Sequence, residues 1–427
     1  MRICTTYGTP VPLRDGSDMH EIRLDVFGEI PEGIGEDDII TLCGKDIDTI
    51  PEGFPGLVDT GPDDIGTKYR RIRSFHDFES TPEASEIVSM LSDGGQEISK
   101  GAFAVNSFTD LHSIYTASAM IGRRHVLLGM GELGAVTRIR QRILGNEFTF
   151  GYCGEPTAPG QFSTDMMEML GDGCSIAGVT GHPLAHTRSP AMQNAAIEAA
   201  GIDAVYLRFD SPTLDNLCDV MREYVIRGMN VTIPYKQDVF RLLDRVSDVC
   251  YGAGAVNTII NTDGVLTGDN TDVEGIKYAF MKKDQEPKGK KVLIMGSGGA
   301  ARAAAYAFDD MGCSLSIAGR NAATVRDICD AFGCESHSGG VEGFDIVVNC
   351  TPIGQVEGQY PADLSDLEKD HTVFDMVYGR PTGLLDLAQA RGCTIVDGSD
   401  MLVGQGAASF EMWFGVRPDT EVMRKAI

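Results

Sequence analysis

The sequence predicts an α/β protein: a shortened (β/α)8 barrel first, then a two-domain part that ends in a Rossmann-type dinucleotide domain. Three observations predict this. Eight short apolar runs, each flanked by turn residues, fall before residue 165. A glycine turn at Gly178–Gly181 then opens a separate α/β unit, and a strand, a glycine turn and a helix follow in order over Val292–Phe308.

The eight runs read as strands at Arg2–Tyr7, Glu21–Val26, Asp38–Leu42, Gly56–Asp59, Arg71–Phe75, Glu97–Ala104, His125–Met130 and Glu147–Tyr152. Helices are expected at Glu83–Leu91 and Asp110–Ile121, and the connections before them are too brief for full helices. Gly171-Asp172-Gly173 reads as a linker. Ser175–Gly181 is the next strand, and Ser189 with Pro190 opens a helix to Ala200, proline being suited to a first turn. Strands Ala204–Arg208 and Gly228–Thr232 continue that unit. Lys288–Lys291 marks a further boundary, and a last helix over about Gly406–Phe414 is expected to return to the second unit.

Composition narrows the function. A formal net charge of −26 argues against a nucleic-acid partner, because phosphate binding needs a basic face. Anionic ligands would then need local basic residues. The apolar runs are far too short to span a membrane, and no secretion leader is expected. Eleven cysteines without a C-x-x-C pair suit thiols in a reducing cytoplasm. The eight histidines lack ligand spacing, so no metal is expected.

Gly296-Ser297-Gly298-Gly299-Ala300-Ala301 has G-x-G-x-x-A spacing directly after Val292–Met295. The glycines permit a tight turn and close approach to a pyrophosphate, and the helix N-terminus attracts the anion. Ser314–Ala318 ends in Gly319-Arg320-Asn321, where an NAD site would place an acidic residue. Arg320 instead suits a 2′-phosphate, which favours NADP. A solvated surface arginine is the plain alternative. Thr351 completes the expected cofactor contacts.

Four motifs now combine: Gly181–Pro190 (G-H-P-L-A-H-T-R-S-P), Asn230–Lys236 (N-V-T-I-P-Y-K), Gly252–Thr258 with Gly268–Asp272, and Gly404-Gln405-Gly406. From Ser175 onward the chain resembles shikimate dehydrogenase, and Asn349–Gly354 and Asp375–Tyr378 fit the same family. The resemblance implies Lys236 and Asp272 as the catalytic pair. Thr187 and Ser189 would bind the carboxylate, with threonine where serine is usual, and Thr232, Asn257 and Gln405 the ring hydroxyls. Viewed alone, Lys236 would more often be a solvated lysine.

Glu21-Ile22-Arg23-Leu24-Asp25 on one strand would aim three charges at one face. With Ser74–Phe78 (S-F-H-D-F), Lys100, Met130–Gly134, Arg138 and Thr157–Gln161, residues 1–165 resemble the type I, Schiff-base 3-dehydroquinate dehydratases. That implies Lys100 as the imine lysine and His76 as general base and acid. Glu21, Arg23, Arg138, Thr157 and Gln161 would position the substrate. Lys100 needs a lowered pKa, expected from burial and the Arg138 cation. Thr41–Gly44 lacks the family's arginine after the third strand, Lys45–Glu52 lacks its acidic residue, and Val58-Asp59-Thr60-Gly61 lacks a second acid.

The two resemblances imply domains at 1–171 (dehydratase barrel), 172–275 (substrate domain), 276–400 (NADP domain) and 401–427 (helical return). They imply 3-dehydroquinate, 3-dehydroshikimate and shikimate as ligands in a cytoplasmic enzyme. A homodimer is allowed and not dictated. A quinate/shikimate dehydrogenase with a decayed barrel, or a metabolite-sensing regulator, are the alternative readings.

Overall fold

The computed structural model describes residues 1–63, 68–353, 360–379 and 382–427. Gly354, at the end of the Asn349–Gly354 motif, lies outside them. The chain forms two compact units, Met1–Ala185 with Asp203–Arg227, and His186–Ile202 with Gly228–Ile427.

The first unit holds an eight-stranded parallel sheet: β1 (Ile3–Tyr7), β2 (Met19–Arg23), β3 (Ile39–Thr41), β4 (Leu57–Asp59), β5 (Arg70–Asp77), β6 (Ile98–Ala104), β7 (His125–Met130) and β8 (Thr149–Cys153). Neighbours pair in sequence order and β1 pairs β8, which nearly closes a barrel. The early connections are short, as expected: α1 (Leu24–Phe27) and one 3-10 turn, Ile47–Thr49. Longer helices begin after β5, with α2 (Ala84–Ser92) and α3 (Phe108–Met120).

One expectation is corrected here. The second strand ends at Arg23, so Asp25 lies in α1 and does not share the inward strand face. Gly28, in a left-handed conformation, closes this turn by donating to Leu24 O at 3.1 Å.

Strand alternation fills the barrel in layers. Cys4, Met19, Ile39, Leu57, Ile72, Ile98, Val126 and Phe148 form a buried apolar floor. Two residues further along their strands, Glu21, Thr41, Asp59, Ser74, Lys100 and Phe150 face the same interior. The seam between β7 and β8 is closed mainly by side chains. Asn146 accepts from Leu127 N at 2.8 Å and donates to Leu127 O at 2.9 Å, and Thr137 Oγ1 accepts from Gly129 N at 2.9 Å. Two one-turn helices follow β7, α4 (Gly131–Gly134) and α5 (Val136–Ile139), and α6 (Thr164–Met169) follows β8. The unit also contains β9 (Ser175–Gly181), parallel to β10 (Ala204–Asp210).

The second unit begins with α7 (Ser189–Ala200), and α8 (Leu217–Glu223) belongs to the first. From β11 (Ile226–Val231), residues Gly228–Asn230 pair antiparallel with β13 (Thr258–Thr262). That strand forms a hairpin with β14 (Val265–Asp269), and β14 pairs β12 (Arg245–Val246). Asp263 and Gly264 both have positive φ, as a two-residue hairpin turn requires. The short α9 (Asp248–Ala253) and α10 (Asp272–Lys282) follow β12 and β14.

A second sheet is wholly parallel: β15 (Lys291–Met295), β16 (Ser314–Ala318), β17 (Glu335–Ser336), β18 (Ile346–Asn349), β19 (Thr372–Asp375) and β20 (Thr394–Asp397). Its spatial order, β17-β16-β15-β18-β19-β20, is the doubly wound 3-2-1-4-5-6 order. Helices α11 (Gly299–Asp310), α12 (Ala322–Phe332) and α13 (Gly383–Arg391) connect it. The last long helix, α14 (Gly398–Phe414), starts eight residues before its expected start, because Asp397 caps it by accepting from Ser399 N. Gly404 and Gly406 lie inside it; a Cβ at Gly404 would stand 2.6 Å from Tyr278 Cβ. A final turn is α15 (Thr420–Lys425).

All eleven cysteines are free thiols. Among the described residues, no helix is long and apolar enough to cross a membrane.

Asn146→Ala removes both side-chain bonds to Leu127 and orphans a buried backbone N–H. The expected cost is about 1–3 kcal/mol, read as an earlier melting of the barrel in a thermal scan. An unchanged melt would show that the seam does not depend on this side chain.

Candidate active sites

The barrel interior opens into a cavity of about 460 Å³, lined among others by Glu21, Arg23, His76, Lys100, Arg138, Thr157 and Gln161. All seven barrel residues singled out in the sequence therefore line one space.

Lys100 sits on β6, almost fully buried. Its Nζ is 3.2 Å from Asp59 Oδ2 and 3.5 Å from Glu21 Oε1, and 4.4 Å from the centre of the Phe150 ring. Burial alone would lower its pKa, but Glu21 and Asp59 outweigh burial and hold it above the ordinary lysine value. The expected depression is thus corrected: the resting lysine is a caged ammonium. Asp59 was not singled out as a site residue. Burial pushes its carboxyl up, and Lys100, the Ser74 hydroxyl (2.6 Å) and Gly61 N (3.0 Å) bring it below the usual range. Its signal was the alternation of Leu57 and Asp59 on a strand only three residues long.

His76 lies at the rim. Loss of water around the ring, reinforced by the Lys100 charge, pushes its pKa down to about 4. The imidazole is therefore neutral at neutral pH and can accept a proton. Arg138, on α5, is only 2% exposed. Its guanidinium has no hydrogen-bond or ion-pair partner among the described residues, and burial pushes its pKa down to about 10. A buried, unpaired guanidinium in a cavity wall calls for an anion. Arg23 instead pairs with Asp25 at 2.8 Å. Gln161 Oε1 accepts from Thr157 N (2.8 Å), Thr157 Oγ1 (3.1 Å) and Ala158 N (3.1 Å). That arrangement fixes the loop and leaves the Gln161 amide NH2 to face the cavity.

In the second unit Lys236 Nζ donates to Asp272 Oδ2 at 2.5 Å. Asn257 Nδ2 donates to Asp272 Oδ1 at 2.8 Å, while Asn257 Oδ1 accepts from Thr271 N at 2.7 Å. Asp272 is the first residue of α10, where the helix dipole favours a carboxylate. Two backbone bonds stitch the lysine loop to Val256 and Asn257: Val231 N to Asn257 O at 2.7 Å, and Val256 N to Lys236 O at 2.8 Å. Gln405 on α14 is buried, and its Cβ would be 3.0 Å from a Cβ at Gly275, one turn beyond Asp272. Thr187 and Ser189 share the turn that starts α7, with Ser189 N donating to Thr187 Oγ1 at 3.3 Å. Neither they nor Thr232 bond directly to the lysine cluster. Tyr378 was quoted only within a motif; burial raises its pKa and Asp272 adds to the rise, so the phenol stays protonated beside that carboxylate.

The glycine turn has the form its spacing implies. Gly296 has φ +127°, and a Cβ there would be 3.1 Å from Cys350 O. Gly298 caps α11 in an extended conformation with nothing within 4 Å of its Cβ position, so the first N–H groups of that helix are open to an anion. Arg320 is exposed and has no ion pair among the described residues. Asn321 Oδ1 caps α12 through Ala323 N (3.0 Å) and Thr324 N (3.3 Å), and Thr324 donates to Ser297 Oγ at 2.8 Å. Thr351 Oγ1 is turned to Asn349 Oδ1 at 2.7 Å. The open helix N-terminus and the free arginine fit a dinucleotide that carries a further phosphate.

Three family models match the chain: type I 3-dehydroquinase over residues 62–171, the shikimate dehydrogenase substrate-binding domain over 179–259, and the shikimate 5′-dehydrogenase C-terminal domain over 398–427. The NADP(+)-dependent shikimate dehydrogenase of Carboxydothermus hydrogenoformans is 37% identical over 268 residues, 59% of this chain and 96% of that one. The Pyrococcus abyssi enzyme is 36% identical, covering 58% and 96%. Among solved structures, the Thermus thermophilus shikimate 5-dehydrogenase with NADP(H) and shikimate is 33% identical, with TM-score 0.55 over 59% of this chain and 98% of that one. The Corynebacterium glutamicum quinate dehydrogenase with NAD is 34% identical, with the same TM-score, 0.55, over 59% and 98%. With relatives this similar spanned almost end to end, the chain belongs to the shikimate dehydrogenase family.

Proposed function

We propose that the chain performs two consecutive reactions of the shikimate pathway in the cytoplasm. The barrel dehydrates 3-dehydroquinate to 3-dehydroshikimate through an imine, and the second unit reduces 3-dehydroshikimate to shikimate with NADPH. The observation that carries this reading is a lysine held by a carboxylate in each unit, at Lys100 and at Lys236. The proposed division is 1–171 for the dehydratase, 172–275 for substrate, 276–400 for NADP and 401–427 for the helical return.

In the barrel, Arg138 takes the substrate carboxylate, the anion its buried guanidinium lacks. The Lys100 proton passes to a neighbouring carboxylate, Asp59 being nearest, and Nζ attacks the ketone. Loss of water from the adduct leaves the imine, an electron sink that acidifies the adjacent carbon. Neutral His76 removes that proton and returns it to the departing hydroxyl, which leaves as water; a second water then adds to the product imine, breaks its C–N bond and frees 3-dehydroshikimate and Lys100. Glu21, Arg23, Thr157 and Gln161 orient the ring.

In the second unit, Lys236 gives a proton to the carbonyl oxygen, and Asp272 accepts its hydrogen bond and keeps it aimed. Thr187 and Ser189 hold the carboxylate; Thr232, Asn257 and Gln405 hold the ring hydroxyls. Bound NADPH supplies the hydride. Gly296 through Ala300 take its pyrophosphate, Arg320 its 2′-phosphate, and Asn321 and Thr351 flank it.

A second reading has one specific observation behind it. Thr187 stands where serine is usual in the family, and the added methyl reshapes the carboxylate pocket toward quinate.

Lys236→Ala is expected to abolish reduction while NADPH affinity stays within about twofold, since the lysine acts on the reacting oxygen. Reduction at the wild-type rate refutes the role. Arg320→Ala is expected to weaken NADPH about 10- to 100-fold by loss of a charge-assisted contact, with NADH nearly unaffected. Equal weakening shows that Arg320 does not read the phosphate. Borohydride added with 3-dehydroquinate should fix substrate mass on the peptide containing Lys100; labelling elsewhere, or none, removes the imine step. The acid limb of dehydratase kcat/KM should fall near pH 4, because a depressed His76 pKa leaves the base unprotonated down to that pH. A limb near the ordinary histidine value of about 6.5 would contradict it.

A further inference from the structure

One buried cation of the first unit serves neither proposed reaction. Arg140 directly follows α5, is 6% exposed, and has no ion-pair partner among the described residues. Its guanidinium instead spends its donors on three backbone carbonyls. Nε donates to Tyr224 O at 2.8 Å, Nη1 to Cys174 O at 2.9 Å and Nη2 to Val225 O at 3.2 Å. Tyr224 caps the C-terminus of α8 and Val225 follows it, where carbonyls have no intrahelical donors and lie at the negative end of the helix dipole. A planar guanidinium can serve three such acceptors at once, and a lysine ammonium cannot reproduce that fork.

The contact is part of a wider face. Tyr224 Oη donates to Leu111 O at 2.8 Å, and the Phe108 and Phe209 rings stack with centroids 6.3 Å apart. His112 meets Glu223 at 2.8 Å, and Arg208 pairs with Glu132 of α4 at 3.0 Å. Residues 204–225 lie inside the match to the dehydrogenase substrate-binding domain, yet they pack as part of the barrel unit.

Arg138 stands two residues before this clamp. The helix that carries it is a single turn, too short to hold its own geometry without tertiary support. On the barrel side, Thr137 fixes it through Gly129 N. On the other side, the fastening is Arg140.

We propose that Arg140 is a positioning residue for the dehydratase: by locking α5 onto carbonyls of Cys174, Tyr224 and Val225, it sets Arg138 in the cavity wall. Affinity of the first enzyme for its substrate carboxylate thus depends on a segment of the second. This rests on the reading of the barrel as a dehydratase.

The test uses the full-length chain, with both activities assayed separately. Arg140→Ala should raise KM for 3-dehydroquinate about tenfold with kcat changed less than about threefold, and leave reduction of 3-dehydroshikimate unchanged. Arg140→Lys should recover part of the loss. Tyr224→Phe, which removes only the Leu111 bond, should leave KM at the wild-type value. A fall in kcat at constant KM, or a parallel loss of both activities, means a lost folded fraction and overturns the positioning role. So does an equal rise of KM in Tyr224→Phe. A wild-type chain without dehydratase turnover overturns the underlying reading. The clamp is then judged by calorimetric binding of 3-dehydroquinate: weaker binding to Arg140→Ala supports it, and equal binding, or none to either protein, overturns it.

Discussion

The structure turns on a charge held where charge is costly. Lys100 stands inside a small parallel barrel, above an apolar floor and against an aromatic ring. An ammonium there persists only because two carboxylates meet it, and removing one partner from such a pair costs about 3–5 kcal/mol. Three separate strands must deliver Glu21, Asp59 and Lys100 to that point, and so the register of the whole sheet is tied to them. The second unit solves the same problem around a partly open lysine. Asp272 meets Lys236 from a helix N-terminus, with Asn257 fixing the carboxylate from a neighbouring strand end.

The two lysines sit in different surroundings. Lys236 is partly open and hydrogen-bonded to one carboxylate. Lys100 is enclosed and held by two carboxylates, which keep its proton in place. Arg138 lines the same cavity as a buried cation without an ion-pair partner among the described residues, while Glu21 and Asp59 are engaged by Lys100.

Much of this was legible in the sequence because local pattern and chemistry coincide. His125–Met130 is an expected strand that the structure reproduces residue for residue, and the Gly296–Ala301 turn stands between strand and helix as its spacing requires. The failures have local causes. Leu24-Asp25-Val26-Phe27 carries strand-forming residues, but Gly28 closes the segment into a helical turn and takes Asp25 off the strand face. Asp59 lies on a three-residue strand, too short for alternation to announce which way it points. The Lys100 environment was misjudged because its partners come from strands 41 and 79 residues away, and pairing across a barrel interior leaves no local mark. The early start of α14 was missed because the purpose of its glycines, close approach of a neighbouring helix, is also not local.

The central claim is that both halves work on one ring in sequence. The most direct measurement is product analysis after the intact chain is incubated with 3-dehydroquinate and NADPH alone. The account predicts shikimate, with one NADPH oxidised for each molecule formed. Quinate as the product, or no product from a chain that does reduce added 3-dehydroshikimate, would contradict it.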